Sequence, residues 1–187
     1  MKNIAIFGAS RSGKSTLATM IAKKYQNYHI IIGDDIRGTF TEVFPQNEIS
    51  SKGGKGMRGD FQKFLSKLFY RNIKRNEKVF IYILDTCDIE PEQAKELFNN
   101  ENTIVVFLGY PNQTVQEHFD EIQKYQTKND WTYNRTYENL LDHCKHWTSK
   151  SKEYKEKCDK FKIPFFDTSN NREEVLYKVM EYIETLI

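Results

Sequence analysis

Short apolar runs stopped by glycine, aspartate or proline alternate along this chain with longer stretches whose apolar residues recur every three or four positions. Ile4 to Phe7, bounded by Gly8, lacks the polar alternation of a half-exposed strand and reads as a strand covered on both faces. Leu17, Met20, Ile21 and Tyr25 then fall on one helical face. His29 to Ile32 repeats the buried-strand pattern up to Gly33, and Ile36, Phe40, Val43 and Phe44 predict a short helix broken before Pro45. Phe61, Phe64, Leu65, Leu68, Phe69 and Ile73 keep helical spacing, and Val79 to Leu84 forms a third strand ending at Asp85. Pro91 opens the next helix, where its missing N–H costs nothing, with Ala94, Leu97 and Phe98 inward. Thr103 to Leu108 is a fourth strand, followed by a helix on Val115, Phe119 and Ile122. Lys124 to Lys162 is polar and spotted with aromatics, and reads as helical with breaks. Ile163 to Phe166 is a fifth strand. Leu176, Val179, Met180, Ile183 and Ile187 mark a closing helix, with Asn171 and Glu174 spaced as a helix-start pair.

Strands alternating with helices imply an α/β fold: five parallel strands in a sheet flanked by helices, because a parallel strand is reached only by a crossover. The 187 residues suit one domain, 1–187, with a mobile glycine- and lysine-rich loop at about 47–59 and a candidate lid at about 125–160. In such sheets ligands gather at the carboxyl ends of the strands, here Gly8, Gly33–Asp35, Asp85–Asp88, Gly109 and Asp167–Asn170.

Charge narrows the partners. With 28 basic and 26 acidic side chains the net charge is +2, without the excess that drives binding to a nucleic-acid backbone. Cys87, Cys144 and Cys158 are odd in number and form no C-x-x-C pair, which suits a reducing, cytoplasmic setting. The first apolar run is too short for a leader or a membrane span, so no membrane partner is expected. A monomer or homodimer is compatible with all of this.

Gly8-Ala9-Ser10-Arg11-Ser12-Gly13-Lys14-Ser15 matches G-x-x-x-x-G-K-[ST] directly between a strand and a helix, with Thr16 next. The glycines let backbone N–H groups turn onto phosphate oxygens at a helix N-terminus. Lys14 would reach the β- and γ-phosphates of ATP, and the Ser15 hydroxyl would ligate Mg2+. Asp85, ending a buried strand, either joins that metal or caps the next helix, for which Asp88 is the better placed. Asp34 and Asp35 sit where an acceptor hydroxyl would approach the γ-phosphate, one as a cap and one as proton acceptor. Arg11, Arg37, Arg58 and Arg135 are the guanidinium groups placed to meet phosphate or acceptor.

The motif and outline resemble the P-loop kinases of nucleotides and small metabolites. Gly33-Asp34-Asp35-Ile36-Arg37 is similar to a G-D-x-L-R segment of adenylate kinases, which implies that Arg37 contacts an acceptor phosphate. Ile83-Leu84-Asp85 with Glu92-Gln93-Ala94 resembles their third-strand region, which implies Asp85 near magnesium and Gln93 near an acceptor base. Asp34 or Asp35, the Phe44 break and Gly56-Met57-Arg58 with Asp60 resemble shikimate kinases, where an aspartate and an arginine grip a hydroxylated substrate. The resemblance also implies that the loop holding Thr168 and Ser169 packs on adenine, against the alternative of an ordinary capped turn. It breaks at Thr86-Cys87-Asp88, where adenylate kinases carry an arginine, and at Glu117, His118, Phe119 and Lys124, where they place paired lid arginines.

The expected activity is that of a kinase moving the γ-phosphoryl of ATP to a small acceptor, a nucleoside or nucleotide first and another metabolite second. From a different class, a regulatory ATPase that switches a protein partner is the alternative. Trp131, Tyr133, Tyr137 and Trp147, with Lys128 and Arg135, form either a closing lid or the end of the core. His143, Cys144 and His146 match no full zinc-ligand spacing. Thr127-Lys128-Asn129-Asp130 resembles a guanine-reading T-K-x-D but follows a helix rather than a strand.

Overall fold

A computed structural model describes residues 1–47, 49, 58–76, 79–128 and 130–187, with Arg58 described in its backbone alone. The elements run β1 (Asn3–Gly8), α1 (Lys14–Lys24), β2 (Tyr28–Ile32), α2 (Gly33–Val43), α3 (Arg58–Asn76), β3 (Ile81–Asp85), α4 (Pro91–Leu97), β4 (Thr103–Gly109), α5 (Val115–Tyr125), α6 (Tyr137–Phe161), β5 (Phe165–Asp167) and α7 (Arg172–Glu184), with a short 3-10 turn at Pro45–Asn47. The strands form one parallel sheet in the order β2-β3-β1-β4-β5. No helix among the described residues is long and apolar enough to cross a membrane.

Strand β1 is the centre, and its alternation divides the core. Ile4 and Ile6 pack with Leu17, Ile21, Leu176 and Val179 of α1 and α7. Ala5 and Phe7 face the other way, onto Phe69, Phe98, Trp147 and Tyr154 of α3, α4 and α6 or the turns that follow them. All four β1 side chains are fully buried, which is why the run carries no polar residue.

The outer strands depart from expectation. The apolar run predicts a buried β2, yet His29 and Ile32 are exposed because β2 is a sheet edge with one neighbour. β3 starts only at Ile81, leaving Val79 and Phe80 exposed. The segment expected to be helical with breaks divides differently: turns at 126–128 and 130–136 precede one unbroken helix of 25 residues, α6. No glycine or proline interrupts Tyr137–Phe161, and Thr136 caps it by accepting from the Asn139 N–H. Pro91 does open α4, and Thr114 with Glu117 forms a capping box on α5. Asn171 takes a left-handed φ of 48° at the start of α7, and its side chain makes no cap. The expected loop at about 47–59 falls almost wholly outside the described residues.

Candidate active site

The chain leaves β1 through a loop whose backbone only glycine permits at one end. Gly8 has φ 131°, and a Cβ there would stand 1.9 Å from the Leu108 carbonyl oxygen on β4. Arg11 and Gly13 take φ of 64° and 99°, so the loop coils back on itself before α1 starts at Lys14. Hydrogen bonds from the Ala9 N–H to Leu108 O (3.0 Å) and from the Tyr110 hydroxyl to Ser10 O (2.6 Å) pin it to β4 and the turn beyond. Lys14 is buried and donates to Ala9 O at 2.8 Å, lying along the loop. The Ser12 hydroxyl, fully buried, has no partner among the described residues. The Gly8–Ser15 loop therefore has the coiled backbone, lysine and helix N-terminus of an anion nest.

Beside it the Ser15 hydroxyl donates to Asp85 Oδ2 at 2.5 Å. Two oxygen donors from α1 and β3 in contact at the mouth of an anion nest fit a hard divalent cation. Burial pushes the Asp85 carboxyl up, while Lys14 and the Ser15 hydrogen bond oppose that rise.

Next to Asp85 stands a polar cluster. Arg37 Nη1 donates to Asp88 Oδ2 at 2.6 Å and to Asp34 Oδ1 at 3.2 Å. Asp88, 1% exposed, also accepts from the Thr86 hydroxyl at 3.1 Å. Burial works to raise the Asp34 carboxyl, but Lys14, then Arg37 and two hydrogen bonds from Cys87, outweigh it and hold the group below the usual range. Burial dominates at Asp88 and pushes it up despite Arg37. It also pushes the Cys87 thiol up, which keeps it protonated. Neither Asp34 nor Asp35 caps a helix: α2 already begins at Gly33, so both lie in its first turn, where negative charge favours the helix dipole. Gly33 is required there, since a Cβ would come within 2.6 Å of Thr86 Cβ. Asp88 is not a cap either, because it turns inward to Arg37 while Glu90 takes the N-cap position of α4.

Two clefts meet at Ser10, Asp34 and Trp131. The first, about 410 Å³, runs along the loop past Lys14, Ser15 and Thr16 to His118, Glu121 and Arg172. The second, about 540 Å³, holds Asp35, Arg37, Arg135, Asn139, His143 and Trp147. The sequence-derived residues Asp34, Asp35, Arg37, Arg135 and Lys14 are thus brought together. Gln93 is not among them: it lies half-buried on α4, which packs on α6 and α3, and lines neither cleft. The Arg58 side chain lies outside the described residues. Thr168 and Ser169 line neither cleft. Thr168 bonds Gly109 O, and Ser169 bonds Asp167 and the Asn112 N–H, so they tie β5 to β4. The neighbouring Asn171 and Arg172 instead line an outer cleft beside Thr16 and Tyr125.

The aromatic stretch is split by burial. Trp147 is core, 1% exposed, whereas Trp131 is 48% exposed at the junction of the clefts, with Arg135 over its ring. Asp130 closes a local turn by accepting from the Thr127 N–H (2.6 Å) and hydroxyl, and it pairs with Arg11 Nη1 at 2.6 Å. Those three contacts hold its carboxyl down to about 2 and account for the T-K-x-D spacing as turn chemistry. His143, Cys144 and His146 do not converge. The metal-like group among the described residues is Asp34, Cys87 and Asp88, where Arg37 already stands.

Local sequence patterns single out none of Tyr110, Glu121 and Arg172, and mark His118 only as a departure. His118 is buried, stacks on Tyr110 with ring centroids 4.1 Å apart, and meets Gln113 Oε1 through Nδ1 at 3.2 Å. Gln113 Nε2 donates to Glu121 and Ser169 O, which leaves Oε1 as acceptor and puts the imidazole proton on Nδ1. Burial, then the charges of Arg172 and Arg11, push this imidazole down from 6.5 to about 4. The folded state resists the proton, so stability is complete above pH 6.5 and is lost as pH falls toward 4. Urea unfolding at pH 5 should show about 2 kcal/mol less stability than at pH 7 from this group. His118→Gln should lack that decrement, and an equal decrement in the variant refutes the assignment.

No protein-family model matches the chain, and no curated protein matches its sequence. Solved structures do match. A shikimate kinase from Bacteroides thetaiotaomicron aligns at 18% identity over 98% of each chain with a TM-score of 0.60. A deoxyadenosine kinase from M. mycoides with bound dATP aligns at 17% identity over 98% of this chain and 100% of that one, TM-score 0.53. A gluconokinase from Sinorhizobium meliloti 1021 aligns at 14% identity over 98% and 96%, TM-score 0.56. At these identities the likeness is one of fold, shared over nearly the full length.

Proposed function

We propose that this chain, which has the fold of the P-loop kinases, transfers the γ-phosphoryl group of ATP to a hydroxyl of a small molecule, a nucleoside or nucleotide being favoured. The observation that carries the reading is the junction of the two clefts: an anion nest with Lys14 on one side, and Asp34, Asp35 and Arg37 a step away on the other. ATP would lie along Gly8–Ser15, with Ser10, Arg11 and Thr16 at its sides. Lys14 would neutralise charge on the transferring group. Ser15 and Asp85 would hold Mg2+, which supplies charge neutralisation of the outer phosphates when bound. The acceptor oxygen forms a bond to the γ-phosphorus as the bond to the β–γ bridging oxygen breaks, and that electron pair leaves with ADP. The hydroxyl proton passes to Asp34 or Asp35. The chain acts as one domain, 1–187, with Trp131 and Arg135, from the candidate lid at about 125–160, closing over the acceptor and excluding water.

Titration calorimetry with MgATP, followed by an acceptor screen that reads ADP formation, tests this. Heat on binding and acceptor-dependent turnover are expected. Turnover that appears only with a protein partner would support the rival reading, a regulatory ATPase. That rival draws on α5, which brings His118 and Glu121 to the cleft where kinase lids carry arginines. Asp85→Ala should raise the Mg2+ concentration for half-maximal activity about 10- to 100-fold, and an unmoved magnesium curve would remove Asp85 from the metal site.

A further inference from the structure

An acceptor that is already phosphorylated or carboxylated needs a cation at the inner end of the second cleft, and among the described residues Arg37 is the guanidinium there. The fold has already matched it. Its Nη1 is held by Asp88 at 2.6 Å and by Asp34 at 3.2 Å. Asp88 cannot follow it outward. Its carboxylate accepts from the Thr86 hydroxyl, its own N–H donates to Thr86 Oγ1 at 3.1 Å, and its carbonyl takes the Gln62 amide at 2.6 Å. Asp88, 1% exposed, therefore keeps Nη1, and a ligand anion would meet only Nη2 and Nε of a guanidinium whose charge Asp88 and Asp34 already offset. A single pairing of that kind in a partly open cleft returns little against the two carboxylates. Asp35 adds another carboxylate on the same wall. Magnesium on Ser15 and Asp85 does not alter the balance, since it travels with the triphosphate's own negative charge. Arg135 lies at the exposed outer side over Trp131, where solvent and salt screen it. Of the remaining described walls, Trp131, His143 and Trp147 are planar rings, and Ser10, Cys87 and Asn139 are small uncharged groups between them.

We infer that the acceptor is uncharged: a neutral hydroxyl compound with a planar body, of the nucleoside class, presenting its hydroxyl to Asp34 and Asp35 between the anion nest and the Arg37–Asp88 pair, in preference to a nucleoside monophosphate or a hydroxy acid. The inference rests on the kinase reading and narrows its acceptor. Arg37 then acts as a positioning residue that fixes Asp34.

The test uses the full chain with MgATP and a matched panel: the common ribo- and deoxyribonucleosides, their 5′-monophosphates, and shikimate and gluconate as carboxylated alcohols, with ADP formation as the readout. At least one nucleoside should be phosphorylated, with kcat/KM at least about tenfold above that of its monophosphate, a gap that narrows in 0.5 M salt as charge is screened. Preference for a monophosphate or a hydroxy acid overturns the inference. So does MgATP binding, seen by calorimetry, without turnover of any nucleoside. Absence of heat with MgATP is a different result, which takes down the kinase reading itself. Asp88→Asn, checked for folding by circular dichroism, loosens Arg37 and should move the nucleoside-to-monophosphate ratio about tenfold toward the monophosphate. A folded variant with an unmoved ratio also counts against the inference.

Discussion

Replacing Lys14 with alanine is expected to lower kcat by about 10²- to 10³-fold while leaving the fold in place. The side chain is buried in the wall of the first cleft, and its ammonium rests on Ala9 O, from where it would transfer to a phosphate oxygen without leaving the loop. It also lies close enough to Asp34 and Asp85 to draw both carboxyls down. Its removal therefore takes a cation from the transferring group and lets both acids rise, and both effects act on the chemical step. The backbone of the loop does not depend on it, being pinned by Leu108 O, the Tyr110 hydroxyl and the start of α1. Steady-state kinetics at saturating ATP, with circular dichroism as the control, measures this. A folded variant with wild-type kcat would sink the mechanism.

The second large effect is on stability. Gly8→Ala should remove about 3–5 kcal/mol, combining a collision between Cβ and the β4 backbone with a backbone conformation that L residues avoid. The obstacle is the Leu108 carbonyl at 1.9 Å, in the paired register of the two central strands, so relief requires moving the sheet and not a side chain. Gly38 on α2 is the internal contrast. A Cβ there meets nothing within 4 Å, and Gly38→Ala should add about 0.5–1 kcal/mol. Urea unfolding of both variants decides the matter, and a loss below about 1 kcal/mol at Gly8 would show that the loop is not held as described.

The phosphate loop is legible in the sequence because its chemistry is contiguous: eight residues in a row, framed by a strand and a helix, leave little for the fold to add. α6 is harder to read. Its buried face, Leu140, His143, Cys144, Trp147, Ser151, Tyr154 and Cys158, does keep helical spacing, but histidine, cysteine, serine and tryptophan carry it where aliphatics would have announced it. The exposure of β2 escapes a sequence reading because a run of isoleucines is alike at a sheet's centre and at its edge, and strand order settles which it is. Arg37 lines the second cleft. Its partner Asp88 is 51 residues away, however, and the pairing exists only because β3 lies beside β2. Arg172, which lines the first cleft, and Tyr110, whose hydroxyl holds Ser10 O of the loop, are invisible in the sequence for the same reason, since the local pattern around each describes only its own packing.

Strand order also separates the two halves of the site mechanically. The phosphate loop hangs from β1, which is gripped on both sides by β3 and β4, whereas Gly33–Asp35 hang from β2, which has a neighbour on one side only. On the proposed function, the half of the site that would hold the phosphoryl donor is built into the centre of the sheet, and the half that would select the recipient sits on its margin. Substitutions along that margin can redirect choice of recipient without disturbing the machinery at the centre, so divergent chains of this shape should differ first at β2 and α2 and last at β1.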